Sequence, residues 1–322
     1  MPEPVTPARE RQSAGAVLMV RPARFAFNPQ TAASNAFQSA TAADLEPKSD
    51  AGAAQELALR EFDGLTAKLI RAGVDVIAAE DTAPPIKPDA VFPNNWVSFH
   101  HDGTVVLYPM LALNRRLERR EDLVRQVTRE GGYRTSRTVD LSYREHQAKF
   151  LEGTGSLVLD RANRIAYACL SPRTDLDVLG EFAQQLDYDL VMFEAFDAAA
   201  KPVYHTNVLM AIGTRFAVVC ADAITQPTHR AAVSEQLRAT GHEVIEISMQ
   251  QMAQFAGNVL ELAPAPGNVI AMSTTAWRSL DPAQRRILEG HGSVVAADIP
   301  VIERLGGGGV RCMLAEIHLP KR

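Results

Sequence analysis

The sequence predicts an α/β fold, a ring of about five ββα-type units, on three observations. One segment shape recurs: a polar or small residue, a short apolar run, a turn, then a second apolar run. It appears as NWVSFHHDGTVVLYP from Asn95, SLVLDRANRIAYACL from Ser156, NVLMAIGTRFAVVCAD from Asn207, NVLELAPAPGNVIAMS from Asn258 and CMLAEIHL from Cys312. The spacing is nearly constant, as a repeat architecture requires. The fifth unit holds only its first run, and VLMVRPA (Val17 to Ala23) offers the strand it lacks. An N-terminal strand joining the last unit would close the ring and cover strand edges.

Each element has a local reason. The paired runs are rich in Val, Ile, Leu and Phe, as strands are. Turn residues part them at Asp102-Gly103, Ala162-Asn163, Gly213-Thr214 and Pro266-Gly267. Apolar residues recur at three and four in Ala54–Ala72, Leu117–Thr128, Asp175–Leu186, Thr228–Thr240 and Pro282–Leu288, which predicts helices. Asp175 and Asp281 stand at N-cap positions, and Gly73, Gly241 and Gly290 at C-terminal ones. Residues 1–16 read as a frayed tail, and 17–322 as one catalytic domain.

Composition narrows the classes. With 322 residues, 46% of them hydrophobic and 22% charged, the chain can bury a large core. A net charge of −5 provides no basic face for nucleic acid and no polybasic case for membranes. No stretch is long and apolar enough to span a bilayer. Three cysteines, Cys169, Cys220 and Cys312, argue against a disulfide framework and for a reducing, cytoplasmic setting. No zinc-type spacing occurs, so neither metal nor organic cofactor is expected. A homo-oligomer is left open.

The repeated polar positions Asn95, Ser156, Asn207, Asn258 and Cys312 would converge near the axis of the ring. One of them is a thiol. Cys312 follows Gly306-Gly307-Gly308-Gly309-Val310-Arg311, where glycines allow close backbone approach and Arg311 is a cation able to lower a thiol pKa. Cys169 and Cys220 sit inside apolar runs and read as core thiols. A nucleophilic cysteine needs a histidine and often a carboxylate. His205, two residues before Asn207, has the repeat position for this, whereas His100 and His101 beside the Asp-Gly turn read as surface. Glu152, four residues before Ser156, is placed to orient His205.

The Glu-Gly sequence near one strand, His-x-Asn near another and the glycine-rich loop before a late Cys resemble the guanidino-group-modifying (pentein) superfamily. This superfamily includes arginine deiminase, dimethylarginine dimethylaminohydrolase and the amidinotransferases. Its fold is the five-bladed α/β-propeller. FPNNW (Phe92–Trp96), LEGTGS (Leu151–Ser156), YHTNVLM (Tyr204–Met210) and GGGGVRCM (Gly306–Met313) are similar to the subgroup of citrulline utilisation hydrolases, often grouped with amidinotransferases. The resemblance implies Cys312 as nucleophile, His205 as general acid/base and Glu152 as its partner. It also implies Arg116 (Arg115 as a one-residue alternative) and Arg173 as holders of a substrate α-carboxylate.

The departures from the superfamily pattern bear on substrate. Deiminases carry Asp at the positions of Asn95 and Asn207, and an Asp at Gly155. Paired aspartates suit a guanidinium cation. An amide offers a donor and an acceptor and so matches a neutral ureido edge. The expected ligand is therefore a small amino acid with a ureido or guanidino group. The leading expectation is hydrolysis of citrulline to ornithine, ammonia and CO2. Guanidine hydrolysis or amidino transfer on arginine stands second. A non-enzymatic propeller binding a protein partner stands third.

Overall fold

The structure is a computed structural model that describes residues 10–41, 51–265 and 267–322. Pro266, in the fourth expected turn, lies outside the described residues. The described residues form five separate three-stranded sheets, each with the same topology. The first sheet joins both ends of the fold: β1 (Ala16–Arg21) lies between β2 (Asp75–Glu80) and β15 (Ala315–Glu316). The others are local: β3 (Val97–Phe99), β4 (Thr104–Leu107), β5 (Arg137–Asp140); β6 (Leu157–Asp160), β7 (Ile165–Cys169), β8 (Asp189–Phe193); β9 (Met210–Ile212), β10 (Phe216–Val219), β11 (Glu243–Glu246); and β12 (Leu260–Leu262), β13 (Val269–Ser273), β14 (Ser293–Ala297). In each, the middle strand pairs antiparallel with one neighbour and parallel with the strand that follows a helix. Antiparallel partners need only a tight turn, whereas the parallel partner requires the helical crossover.

The repeat is thus ββαβ, one strand longer than the expected ββα. The additional strands β2, β5, β8, β11 and β14 are sheet edges with mostly exposed or half-buried residues. Of these, β5 and β11 lack the apolar run that marks the two inner strands, whereas β2, β8 and β14 carry one at a half-buried edge. The expected N-terminal strand does pair with the fifth unit, with Val17 opposite Glu316 and Leu18 opposite Ala315.

The linking helices fall close to the periodic segments: α1 (Ala51–Arg71), α2 (Glu121–Glu130), α3 (Leu176–Leu186), α4 (Pro227–Ala239) and α5 (Pro282–His291). Asp175 accepts from the Asp177 and Val178 amides, and Asp281 forms a capping box with Gln284. Gly73 (φ +87°) and Gly241 (φ +80°) follow their helices in the left-handed region, but Gly290 lies inside α5. Each helix turns one stripe inward. Along α1 the stripe is Ala58, Phe62, Leu65 and Leu69, packed with Val17, Met19 and the segment around Cys312. Each such large side chain contributes about 1.5–3 kcal/mol by burial.

Neighbouring sheets meet through their first strands: β6 against β9, β9 against β12, and β15 against β3. Residues 10–16 are not a frayed tail. Glu10, Gln12, Ser13 and Ala14 are buried, and the Gln12 side chain donates to the carbonyls of Leu159 and Ile212, joining two inner strands. No described helix is long and apolar enough to cross a membrane.

Candidate active site

Just before its inner strand, the chain makes a short helical turn in four of the five units: Pro93–Asn95, Gly153–Ser156, Thr206–Leu209 and Val310–Met313. These turns aim the repeated polar residues at one another. Asn95, Ser156, Asn207, Asn258 and Cys312 are all buried. Asn207 and Asn258 both donate their amides to Cys312 Sγ, at 3.4 and 3.2 Å. Asn258 also donates to the Asn207 carbonyl (3.0 Å) and accepts from the Arg311 amide (3.0 Å). The convergence read from the repeat is therefore a hydrogen-bonded cluster around sulfur.

Cys312 lines a narrow, nearly closed cavity with Asp89, Phe92, Asn95, Arg115, Arg173 and His205. His205 Nε2 lies 2.9 Å from Glu152 Oε2. Glu152 is fully buried; its other oxygen accepts from the Leu111 amide, and Arg173 donates to Oε2 at 3.2 Å. Ser156 Oγ accepts the Glu152 amide and donates to the Arg173 carbonyl, tying the acid's backbone to that of its arginine. Burial alone would raise the Glu152 pKa, but Arg173, His205 and Arg115 outweigh it and hold the carboxyl well below the usual carboxylate range.

His205 behaves in the opposite sense. Burial pushes its pKa down to about 4, despite the hydrogen bond to Glu152, with Arg173 and Arg115 adding to the depression. Glu152 therefore does not hold His205 as a cation. An ionised carboxylate only accepts, so it selects the neutral tautomer with hydrogen on Nε2 and leaves Nδ1 a free base. Burial likewise raises the Cys312 thiol, against the lowering by Asn258, Arg311 and Asn207. At neutral pH both groups are therefore uncharged. Cys169 (pushed up to about 12) and Cys220 are raised by burial as well, in keeping with core thiols.

Arg115, not Arg116, faces the cavity. Leu113–Arg116 is a single helical turn, so adjacent side chains diverge by about 100°. Arg116 is partly exposed and turns to the Met110 carbonyl and Glu145. Arg115 is buried, grips Glu118 through three hydrogen bonds, and donates to Asn95 Oδ1 at 3.0 Å. Arg173 lines the cavity as expected, with its guanidinium 4.9 Å from the centre of the Tyr204 ring. Its other donors reach the Thr31 carbonyl and Ser34 Oγ. That segment, residues 25–38, lies across the cavity and is pinned by Asn35 to the carbonyls of Gly306 and Gly307.

Two glycines are explained by the site. Gly307 has φ +66°, which turns the loop ahead of Cys312. A Cβ on Gly155 would run into Asn95 Nδ2 and come within 2.7 Å of His205 Nδ1. The space of the superfamily's acid is filled by an amide and the base.

Sequence reasoning missed Asp89 and misplaced His100. Asp89 is buried in the cavity wall, held by Asn28 and Thr31 on Oδ2, while Oδ1 has no partner. An acid between Pro88 and the apolar run Ala90–Phe92 was the available signal. His100 is not at the surface; it is buried, bonded to Ser98 Oγ at 2.8 Å.

The family of eukaryotic N,N dimethylarginine dimethylhydrolase matches residues 21–319. No curated protein sequence matches the chain. Among solved structures, the fold is similar to the N-terminal domain of ArgZ, an arginine dihydrolase from the ornithine-ammonia cycle in cyanobacteria, solved with substrate bound. Identity is 18%, the TM-score 0.70, and the match covers 94% of this chain and 99% of that one. The same domain covalently bound to a reaction intermediate matches at 19% identity and TM-score 0.70, over 95% of this chain and 99% of that one. A dimethylarginine dimethylaminohydrolase adduct matches at 16% identity and TM-score 0.62, over 94% and 99%. The family match decides between the enzymatic and the partner-binding expectations in favour of the enzyme. The chain belongs to the N,N dimethylarginine dimethylhydrolase family of the guanidino-group-modifying (pentein) superfamily, and is a cysteine-dependent hydrolase.

Proposed function

We propose that this enzyme hydrolyses the ureido C–N bond of citrulline or a near relative, through a covalent intermediate on Cys312. One observation carries the choice of head group. Asn95 spends its acceptor on Arg115, while its Nδ2 makes only a 3.5 Å contact with the Glu152 carbonyl. The amide thus offers a donor at the place where deiminases present a carboxylate. A ureido group has a C=O to receive it, and a guanidinium has none. Glu152 is already engaged by Arg173 and His205, which leaves little charge for a cationic head group.

In this mechanism, His205 Nδ1 takes the thiol proton and Cys312 Sγ attacks the ureido carbon. The resulting imidazolium is stabilised by ionised Glu152. His205 returns the proton to the leaving amine, ornithine departs, and an S-carbamoyl enzyme remains. His205 then takes a proton from water, which attacks the same carbon. Carbamate leaves and decays to ammonia and CO2, and the thiol is restored. Asn207 and Asn258 stabilise the sulfur as it becomes a thiolate. Arg173 holds the α-carboxylate by exchanging its bonds to Thr31 and Ser34, and the unpartnered oxygen of Asp89 takes the α-ammonium. Residues 17–322 act as one catalytic domain, with the five sheets as propeller blades around the cluster at Cys312.

A second reading, hydrolysis of arginine or a methylated guanidine by the same thiol, is favoured by the family match and by the unpartnered Asn207 Oδ1, an acceptor suited to a guanidinium N–H. The test is ornithine and ammonia release from L-citrulline and L-arginine, side by side, with Cys312→Ser as control. Ornithine from citrulline with arginine inert supports the first reading. Turnover of arginine alone overturns it in favour of the second. Undiminished turnover in Cys312→Ser would sink both.

A further inference from the structure

Adjacent residues Arg311 and Cys312 line different cavities. Cys312 faces the site described above; Arg311 faces a second, small cavity of about 20 Å³ between the inner strands, together with Gln12, Leu159, Ile212, Leu260 and Glu316. Arg311 donates to Glu316 Oε2 at 2.7 Å and to the Leu314 carbonyl at 2.9 Å. Its backbone amide is held by Asn258, whose other amide atom donates to the sulfur. The charge is therefore fixed one residue from the nucleophile, with its counter-ion on the far side. Resting on the proposed role of Cys312, we propose that Arg311 and Glu316 are positioning residues, a charge pair set behind the nucleophile that tunes the thiol from the side opposite the substrate.

The surrounding charges are accounted for. Glu316 also faces Arg161 (3.8 Å) and His318 (3.2 Å), and Arg161 faces Glu10 (3.3 Å) and His100 (3.4 Å). On the substrate side the titratable and charged groups of the cavity are Asp89, Arg115, Arg173, Tyr204 and His205, which the variants below leave unchanged. Burial would raise the Glu316 pKa, but Arg311, Arg161 and His318 hold it well below the usual range, so it stays an anion wherever the thiol titrates. Arg311 bears its charge throughout. The two charges bear on the sulfur with opposite sign, a cation favouring the thiolate and an anion opposing it.

The test is the pH dependence of Cys312 alkylation by iodoacetamide, read at the residue by peptide mass spectrometry, with substrate absent. Arg311→Gln should move the half-maximal pH up, by about one unit. Glu316→Gln should move it down by about half a unit, because Arg311 is freed of its counter-ion. Arg311→Lys, which keeps the charge, should stay near wild type and serves if the glutamine variant fails to fold. A purely structural role would move Arg311→Gln and Glu316→Gln the same way, or neither, and either result overturns the proposal. Because alkylation needs no turnover, a failed citrulline assay with opposite shifts would count against the substrate and not against the pair.

Discussion

On the Cys312 side of the inner strands, Asp89 Oδ1 and Asn207 Oδ1 are buried without hydrogen-bond partners. On the Arg311 side, Glu10, Arg161, Arg311 and Glu316 are equally buried, yet each charge meets an opposite one. Buried acceptors cost stability when unpaired. Beside the nucleophile, these two oxygens can accept from a donor-bearing ligand; the paired charges on the other side tie the inner strands together.

Substitutions should therefore divide cleanly. Arg161→Ala leaves Glu10 and Glu316 without this partner in the interior. It should destabilise the fold by about 3–5 kcal/mol in denaturant titration, with KM unchanged. Asp89→Asn should do the reverse: KM for the amino-acid substrate rises at least about tenfold, as the loss of a charged hydrogen bond predicts, while the melting temperature holds or rises. Equal stability losses in both would erase the distinction. Between these in kind stands Gly155→Ala, whose methyl group displaces Asn95 and His205. We expect kcat to fall about 100-fold, with a stability cost of about 1–3 kcal/mol.

A smaller effect concerns pH. The His205 pKa falls from about 6.5 unfolded to about 4 folded. The unfolded chain thus binds the proton more readily, so stability is full above pH 6.5 and declines as pH drops toward 4. His100 and His318 are depressed by burial too and contribute with the same sign. The loss in melting temperature between pH 7 and pH 5 should accordingly be less in His205→Gln than in wild type, and no difference would contradict a neutral His205. Least affected should be Arg116→Ala, within about twofold of wild type in kcat/KM, as a partly exposed ion pair suggests. Arg115→Ala, by contrast, frees Asn95 Oδ1 and should cost far more.

Much of this site was legible because the repeat is. A polar residue at the head of each inner strand needs only a count of residues to be seen, and the count brought Asn95, Asn207, Asn258 and Cys312 together. Paired apolar runs and capped helices carry strong local signals for the same reason. What escaped depends on geometry with no local signature. Arg115 and Arg116 differ by a rotation within one helical turn. Edge strands β2 and β5 alternate too weakly to declare themselves. Asp89 is one acid in a loop, and only the packing of Asn28 and Thr31 over it reveals its vacant oxygen. The neutrality of His205 is not readable from the sequence either, because a neighbouring carboxylate is visible in a motif while the two arginines and the burial that oppose it are not.

The pairing of β1 with β15 also has a consequence for biosynthesis. Val17 meets Glu316 only after the ribosome has passed residue 316, and Cys312 sits in the turn that leads into that strand. A partially made chain can assemble the four local sheets, yet it lacks the partner that seats its thiol. Seating of the thiol thus waits on contacts between sequence-distant segments, which are of the slow-forming kind.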